Sequence, residues 1–354
     1  MTFTLGNRAV GGDEPTYFIA DIAANHDGDL DRAVELVRLC AEAGADAAKF
    51  QNFSAAGIVS DYGFKALGGQ QSHQASWEKS VFEVYADASI PADWTPVLKR
   101  ACDDSGIDYF SAPYDLAAID MLEPYVPAYK VGSGDVDWLD SIRAMAHKGK
   151  PMLVATGAAT LADVVAAVEA VLEINPDLCL MQCNTNYTAD PGNLRYLNLR
   201  VLETYRQLFP DVVLGLSDHT AGHVSVLGAI ALGARVVEKH FTDDTGRVGP
   251  DHKFSMDPAT WRDMVDRARD LEAALGSPLK KVEDNERETV VLQRRCLRAA
   301  RDLSAGHVLT AADIEVLRPA TPGALPPGEL DATVGKVLRR DLVFGQELTW
   351  LALD

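Results

Sequence analysis

Cysteine, basic charge and long apolar runs are all scarce in this 354-residue chain. The five cysteines (Cys40, Cys102, Cys179, Cys183 and Cys296) are scattered, odd in number and without a CxxC spacing. That argues against a disulfide framework or a zinc ribbon and for reduced, buried thiols. Lys and Arg number 33 against 52 Asp and Glu, a formal net charge of −19. Such a field repels nucleic-acid phosphates, so no nucleic-acid partner is expected. An anionic small substrate is still allowed, because a few lysines can focus a local positive site within an acidic shell. No apolar run approaches the roughly 20 residues of a membrane span. The opening stretch, MTFTLGNRAVGGDEP, lacks the apolar segment of a signal peptide. A cytoplasmic protein that does not enter a membrane is therefore expected. A glycine-rich fingerprint after the first strand is missing too, which counts against a doubly wound open sheet.

What is present is a rhythm. Apolar residues make up 47% of the chain. Short β-rich runs recur at YFIADIA (17–23), DAAKFQ (46–51), IDYFSA (107–112), AYKVGSG (128–134), PMLVAT (151–156), LCLMQC (178–183), VVLGLS (212–217) and RVVEKHF (235–241). Between them lie amphipathic stretches; Leu30, Val34, Val37 and Ala41 form one apolar stripe at helical spacing. Continuous apolar strands alternating with helices imply a parallel sheet covered on its outer face. Eight such units over about 260 residues predict an α/β protein built on a (βα)₈ TIM barrel. Residues 53–90 exceed an ordinary βα loop severalfold and read as a lid or an insertion, from which Gln70, His73 and Gln74 could reach a substrate. After Leu275 the pattern breaks. The resulting division is a barrel over 1–276, a helical linker over 277–293, and a small, mostly β module with Pro- and Gly-rich turns over 294–354.

Barrel chemistry sits at the C-terminal ends of the strands. Lys49 and Lys130 end the second and fourth runs, and a buried ammonium is costly unless an anion pairs with it. The phosphate or carboxylate of a substrate would serve, as would internal salt bridges to Asp21 or Glu238. His219 and His240 end the seventh and eighth runs. Two imidazoles at equivalent places on neighbouring strands suit an exchangeable divalent metal with open coordination positions.

The strings ADIAANHDGD, AAKFQ, YKVGSGD, CNTNY, GLSDHT, EKHFT and GPDH, in this order, resemble the sialic acid synthase family. LRPATPG in the tail resembles the SAF (antifreeze-like) domain that ends those proteins. The resemblance covers nearly the whole chain. It implies condensation of phosphoenolpyruvate with N-acetylmannosamine or a related 2-acetamido sugar, yielding a sialic (nonulosonic) acid and phosphate. It also implies a divalent metal, Mn²⁺ first with Mg²⁺ or Co²⁺ as alternatives, and a homodimer domain-swapped through the tail. By motif, His219 and His240 fall on the metal ligands, and Lys49, Lys130, Ser133 and Ser217 on phosphoenolpyruvate-binding positions. Tyr187, Asp135 and Asp251 fall on sugar contacts, with a further contact at Asn184 or Thr185. Arg318 falls on the residue that the partner's tail inserts over the sugar, and Asp21 is the candidate acid–base carboxylate.

The chain departs from the family pattern in several places. Asp21 and Asp135 stand where Glu is usual, and Ala112 and Ala155 stand where Thr and Ser are usual. CNTNY also differs from the usual Cys-Thr-Ser/Asn pattern. These changes leave open which acceptor is used, including another aldose or a sugar phosphate. An inactive sugar-binding homologue is a further alternative.

Overall fold

The computed structural model describes residues 1–69, 74–75 and 77–354. Gln70 and His73 lie outside the described residues. The chain divides into two compact units, Met1–Gly276 and Ser277–Asp354.

The first unit opens with an antiparallel hairpin, β1 (Thr2–Leu5) and β2 (Arg8–Gly11). Eight parallel strands follow: β3 (Tyr17–Asp21), β4 (Ala47–Asn52), β5 (Asp108–Pro113), β6 (Tyr129–Val131), β7 (Met152–Ala155), β8 (Leu178–Cys183), β9 (Val213–Asp218) and β10 (Ala234–His240). They are laddered in the order β5-β4-β3-β10-β9-β8-β7-β6, and β5 and β6 lie side by side to close the ring. The expected TIM-like barrel is present.

The two-residue period of a strand sorts its side chains onto two faces. One set (Phe18, Phe50, Tyr109, Val154, Leu180, Val237) joins Leu36, Val37, Val168 and Trp261 of the surrounding helices in the main core. Its alternates (Tyr17, Ile19, Phe110, Leu153, Met181, Val213, Val236) meet Phe3, Leu5 and Val10 of the hairpin in a second, inner core. Burying each such side chain contributes about 1.5–3 kcal/mol. The lower barrel is therefore a packed floor with the hairpin as its plug. Moving along the strands, the same inward positions change from apolar to polar, reaching Asp21, Lys49, Lys130, Ser217, Glu238 and His240.

Local signals set the helix ends. Asp29 caps helix Leu30–Glu42 by accepting the Arg32 amide, and Thr160 and Asp163 form a capping box on helix Leu161–Leu172. The run expected as a strand over 128–134 is strand only at β6, because Ser133–Asp135 turns into a 3₁₀ segment. Among the described residues, the long connection carries three short helices, Ala55–Ile58, Asp61–Ala66 and Val81–Ala88.

In the second unit, a helix at Arg287–Gln293 precedes an antiparallel pair, β11 (Cys296–Ala299) and β12 (Ile314–Leu317). Residues 277–293, expected as a linker, group with this unit. Its core is largely leucine: Leu297, Leu303, Leu309, Leu338, Leu342 and Leu348. Much of its order comes from turns and single bridges such as Leu303–Leu342 and Leu338–Leu353. Among the described residues, no helix is long and apolar enough to cross a membrane.

Candidate active site

Strand register builds the site. In the parallel ladders His240 lies opposite Asp21, and Asp21 opposite Lys49. Two residues earlier on β10, Glu238 lies opposite Ser217, which lies opposite Cys183. This level ring brings four charged side chains into a chain. Lys49 Nζ is 2.5 Å from Asp21 Oδ2 and 3.6 Å from Glu238 Oε1, and Lys130 Nζ is 3.0 Å from the same Glu238 oxygen. All four side chains are at most 5% exposed. Internal pairing, the alternative to substrate anions for the two lysines, is what these distances show. Burial works against the Lys49 charge, but Asp21 and Glu238 outweigh it and hold the ammonium above its ordinary pKa. Ser217 donates a long 3.4 Å bond to Glu238, whose Oε2 has no partner. By sequence Glu238 is a possible salt-bridge partner for the lysines, and the fold makes it part of the cavity wall. Its place two residues before His240, on the same strand face, is the signal that could have found it.

Above this chain sit the two histidines, ring centroids 5.3 Å apart. His219 Nδ1 is 3.0 Å from the Asn184 carbonyl oxygen, so it donates there and leaves Nε2 for a ligand. His240 Nε2 is 3.6 Å from Asp21 Oδ2, while its Nδ1 is buried without a partner. Burial, then His219 and Lys49, push the His240 pKa well below its ordinary value and keep the ring neutral. A neutral imidazole with an orphaned buried nitrogen fits a metal ligand. Among the described residues, no cluster of three or more His, Cys, Asp or Glu could hold an ion. The two rings would thus leave its other positions to water or substrate. Behind them, Lys239 Nζ is 2.5 Å from Asp218 Oδ2, and the Ser225 hydroxyl donates to the same oxygen. This buried pair ties β9 to β10 one residue before each histidine.

The site opens into a cavity of about 440 Å³. Every barrel residue expected at the site lines it except Asn184. That side chain turns away to the Tyr196 carbonyl at 3.4 Å, and its contribution is the backbone oxygen that orients His219. Thr185 Oγ1 is buried, unpaired and close to Ser133. Gly157 passes between them: a Cβ there would lie 1.9 Å from Thr185 Oγ1 and 2.9 Å from Ser133 Oγ. Tyr187 stands edge-on to His219 with centroids 4.4 Å apart. Asp135 and Asp251 line the cavity, and burial raises each to about 6. Ala112 lines it as well, whereas Ala155 does not. The long connection supplies part of the wall through Phe53, Gln74, Trp77 and Tyr85, with Phe53 packed 5.5 Å from Tyr85 and 5.8 Å from Tyr114. Arg318 is exposed in the second unit, directly after β12.

A model of the NeuB family matches residues 36–280, and one of the SAF domain matches 294–354. The chain belongs to the NeuB family. This NeuB chain is an enzyme whose relatives are synthases. It is 34% identical over 330 residues to human N-acetylneuraminate-9-phosphate synthase, covering 93% of this chain and 90% of the relative. It is 33% identical over 356 residues to the N,N'-diacetyllegionaminic acid synthase of Legionella pneumophila, covering 97% and 98%. Among solved structures, an N-acetylneuraminic acid synthetase from Leptospira borgpetersenii in complex with citrate superposes with a TM-score of 0.71. That match has 26% identity and covers 82% of this chain and 95% of that one.

Proposed function

We propose that this enzyme condenses phosphoenolpyruvate with N-acetylmannosamine or a related 2-acetamido sugar, in the cytoplasm, to give a nonulosonic acid and phosphate. The observation that carries the reading is a single cavity with two buried lysines under a pair of histidines on adjacent strand ends. Phosphoenolpyruvate brings a carboxylate and a phosphate. Lys49 and Lys130 bind them by charge-assisted hydrogen bonds, with Ser133, Ser217 and Thr185 as hydroxyl donors. Tyr187, Asp135 and Asp251 hold the sugar. A divalent ion held by His219 and His240, Mn²⁺ first with Mg²⁺ or Co²⁺ as alternatives, would act as a Lewis acid on the open-chain aldehyde oxygen.

C3 of phosphoenolpyruvate then bonds to the aldehyde carbon, leaving positive charge at C2. Water adds at C2 and gives up a proton to Asp21, beside Lys49 and His240, which passes it to the alkoxide formed from the aldehyde oxygen. Cleavage of the C2–O bond then expels phosphate, which carries off the C2 hydroxyl proton, and leaves the ketone. The reading includes a homodimer that exchanges its second units, with Arg318 covering the partner's sugar and excluding water.

The test is phosphate release and product mass with phosphoenolpyruvate and several acceptor sugars, with and without Mn²⁺ or a chelator. Release should require both substrates and the metal. Turnover only with an aldose lacking the acetamido group would overturn the reading, as would no release with any acceptor. Full activity after deletion of everything beyond Leu275 would overturn the role of the second unit.

A further inference from the structure

Around the barrel mouth, β3, β4, β6, β9 and β10 each turn polar groups into the cavity: Asp21, Lys49, Lys130, Ser217, and Glu238 with His240. β5 does not. Its inward positions are Phe110, packed in the inner core, and Ala112, which brings only a methyl to the cavity wall. The next inward position is Tyr114, just past the strand end. Its amide donates to the Asn52 carbonyl at 3.2 Å, which carries the β4–β5 ladder one residue further and keeps the two-residue period. Resting on the condensation reading, we infer that the Tyr114 hydroxyl binds the phosphate of phosphoenolpyruvate as a hydrogen-bond donor.

Two neighbours aim the ring. Phe53 of the long connection packs edge-on against it, with centroids 5.8 Å apart and planes at 88°. Gly132 lies against the phenol tip: a Cβ there would come within 3.2 Å of the Tyr114 hydroxyl oxygen and 3.5 Å of ring carbon Cε1. Gly132 has φ −68° and ψ 151°, angles that any residue adopts. The phenol, and not the backbone, therefore asks for glycine at this position. The hydroxyl thus rests on the chain between Lys130 and Ser133, two groups that the phosphoenolpyruvate reading already uses.

Tyr114 lines the cavity, and among the described residues its hydroxyl has no hydrogen-bond partner. Burial, then the charge of Asp21, raises its pKa well above the ordinary phenol value, so the oxygen keeps its proton and acts as a donor. Asp21 and Asp135 both act on the phenol through their charge, yet neither accepts its proton. The acceptor is left for a ligand to supply, and a phosphate offers several anionic oxygens. The lysines do not saturate them, because Lys49 is shared with Asp21 and Glu238, and Lys130 with Glu238. A phenol adds a charge-assisted hydrogen bond there without adding a charge of its own.

Tyr114→Phe keeps the ring and removes only the hydroxyl. Calorimetric titration with phosphoenolpyruvate, with Mn²⁺ present and no acceptor, should show affinity falling about 10- to 100-fold, the range for a hydrogen bond to a charged group. Inorganic phosphate, read by its displacement of phosphoenolpyruvate, should weaken by a similar factor. The acceptor's KM at saturating phosphoenolpyruvate should stay within about twofold, whereas a merely structural role would move both substrates or neither. In the wild type, phosphoenolpyruvate should shift the near-ultraviolet tyrosine absorption, and Tyr114→Phe should lose that shift. No shift in the wild type overturns the inference even if the variant does not fold. Phosphoenolpyruvate affinity within about twofold of wild type overturns it too, as does a loss confined to the acceptor's KM. If the wild type binds phosphoenolpyruvate through Tyr114 but turns over no acceptor, the condensation reading alone falls. If it does not bind phosphoenolpyruvate, both fall.

Discussion

Replacing Glu238 by glutamine removes one negative charge and almost no volume from the centre of the site. Glu238 is the acid within ion-pair distance of Lys130, and it also faces Lys49, at 3.0 and 3.6 Å respectively. At 3.0 Å and an effective dielectric of about 20, one such pair is worth roughly 5 kcal/mol of Coulomb attraction. Relief of the carboxylate's own desolvation offsets part of this, and breaking a buried pair costs about 3–5 kcal/mol net. At roughly 2–4 °C per kcal/mol, the barrel's unfolding midpoint should fall by at least ~6 °C. Phosphoenolpyruvate should then narrow the gap, because its anionic groups take the place of the missing carboxylate and ligand binding stabilises by mass action. Calorimetric scans of wild type and Glu238→Gln, with and without phosphoenolpyruvate, measure both effects. A midpoint within about 2 °C of wild type without ligand would show that Glu238 is not what neutralises the lysines. Equal stabilisation of both proteins by phosphoenolpyruvate would show that its anions do not bind there.

Three further outcomes are expected. His219→Ala and His240→Ala should each abolish Mn²⁺ binding in a paramagnetic-resonance titration while leaving far-UV circular dichroism unchanged; Mn²⁺ retained by the double variant would place the metal elsewhere. Asp218→Ala leaves the buried Lys239 ammonium with the Thr220 carbonyl but no carboxylate and should cost about 3–5 kcal/mol in denaturant unfolding. Asp218→Leu combined with Lys239→Met should recover most of it, and a single-variant loss under about 1 kcal/mol would refute the pair's importance. Asp135 and Asp251 have folded pKa values raised to about 6, so the folded state keeps protons that the unfolded state has already lost. Their effect on stability is nil below about pH 4, grows unfavourable between about 4 and 6, and is complete above that. The stability of the Asp135→Asn, Asp251→Asn double variant relative to wild type should therefore rise across that window and then level off. A relative fall in thermal-melt midpoints over the same range would contradict it.

The barrel was legible in the sequence because its strands are buried on both faces. Runs such as VVLGLS and LCLMQC need no polar alternation, and turn signals bound each one. Where the reading slipped, local geometry was responsible. Gly132 and Ser133 leave the strand early, so β6 is only three residues long. The hairpin of β1 and β2 escaped notice because each strand has four residues, with exposed Thr2, Thr4, Arg8 and Ala9 diluting the apolar signal.

Side-chain identity at the strand ends was likewise readable in one dimension. The two lysines, the two histidines and Asp21 are named by a two-residue period and a strand count. What each one touches was not. Glu238 meets Lys130 across 108 residues of chain, and only closure of the ring brings them together. Asn184 reads as a polar side chain for substrate, yet the fold uses its carbonyl to orient His219 and turns its amide away. Sequence periodicity determines which face of a strand a residue occupies, because that depends only on the pleat. The partner on that face depends on the register of strands far apart in the chain, and here register alone turned two costly lysines into a balanced, buried charge chain.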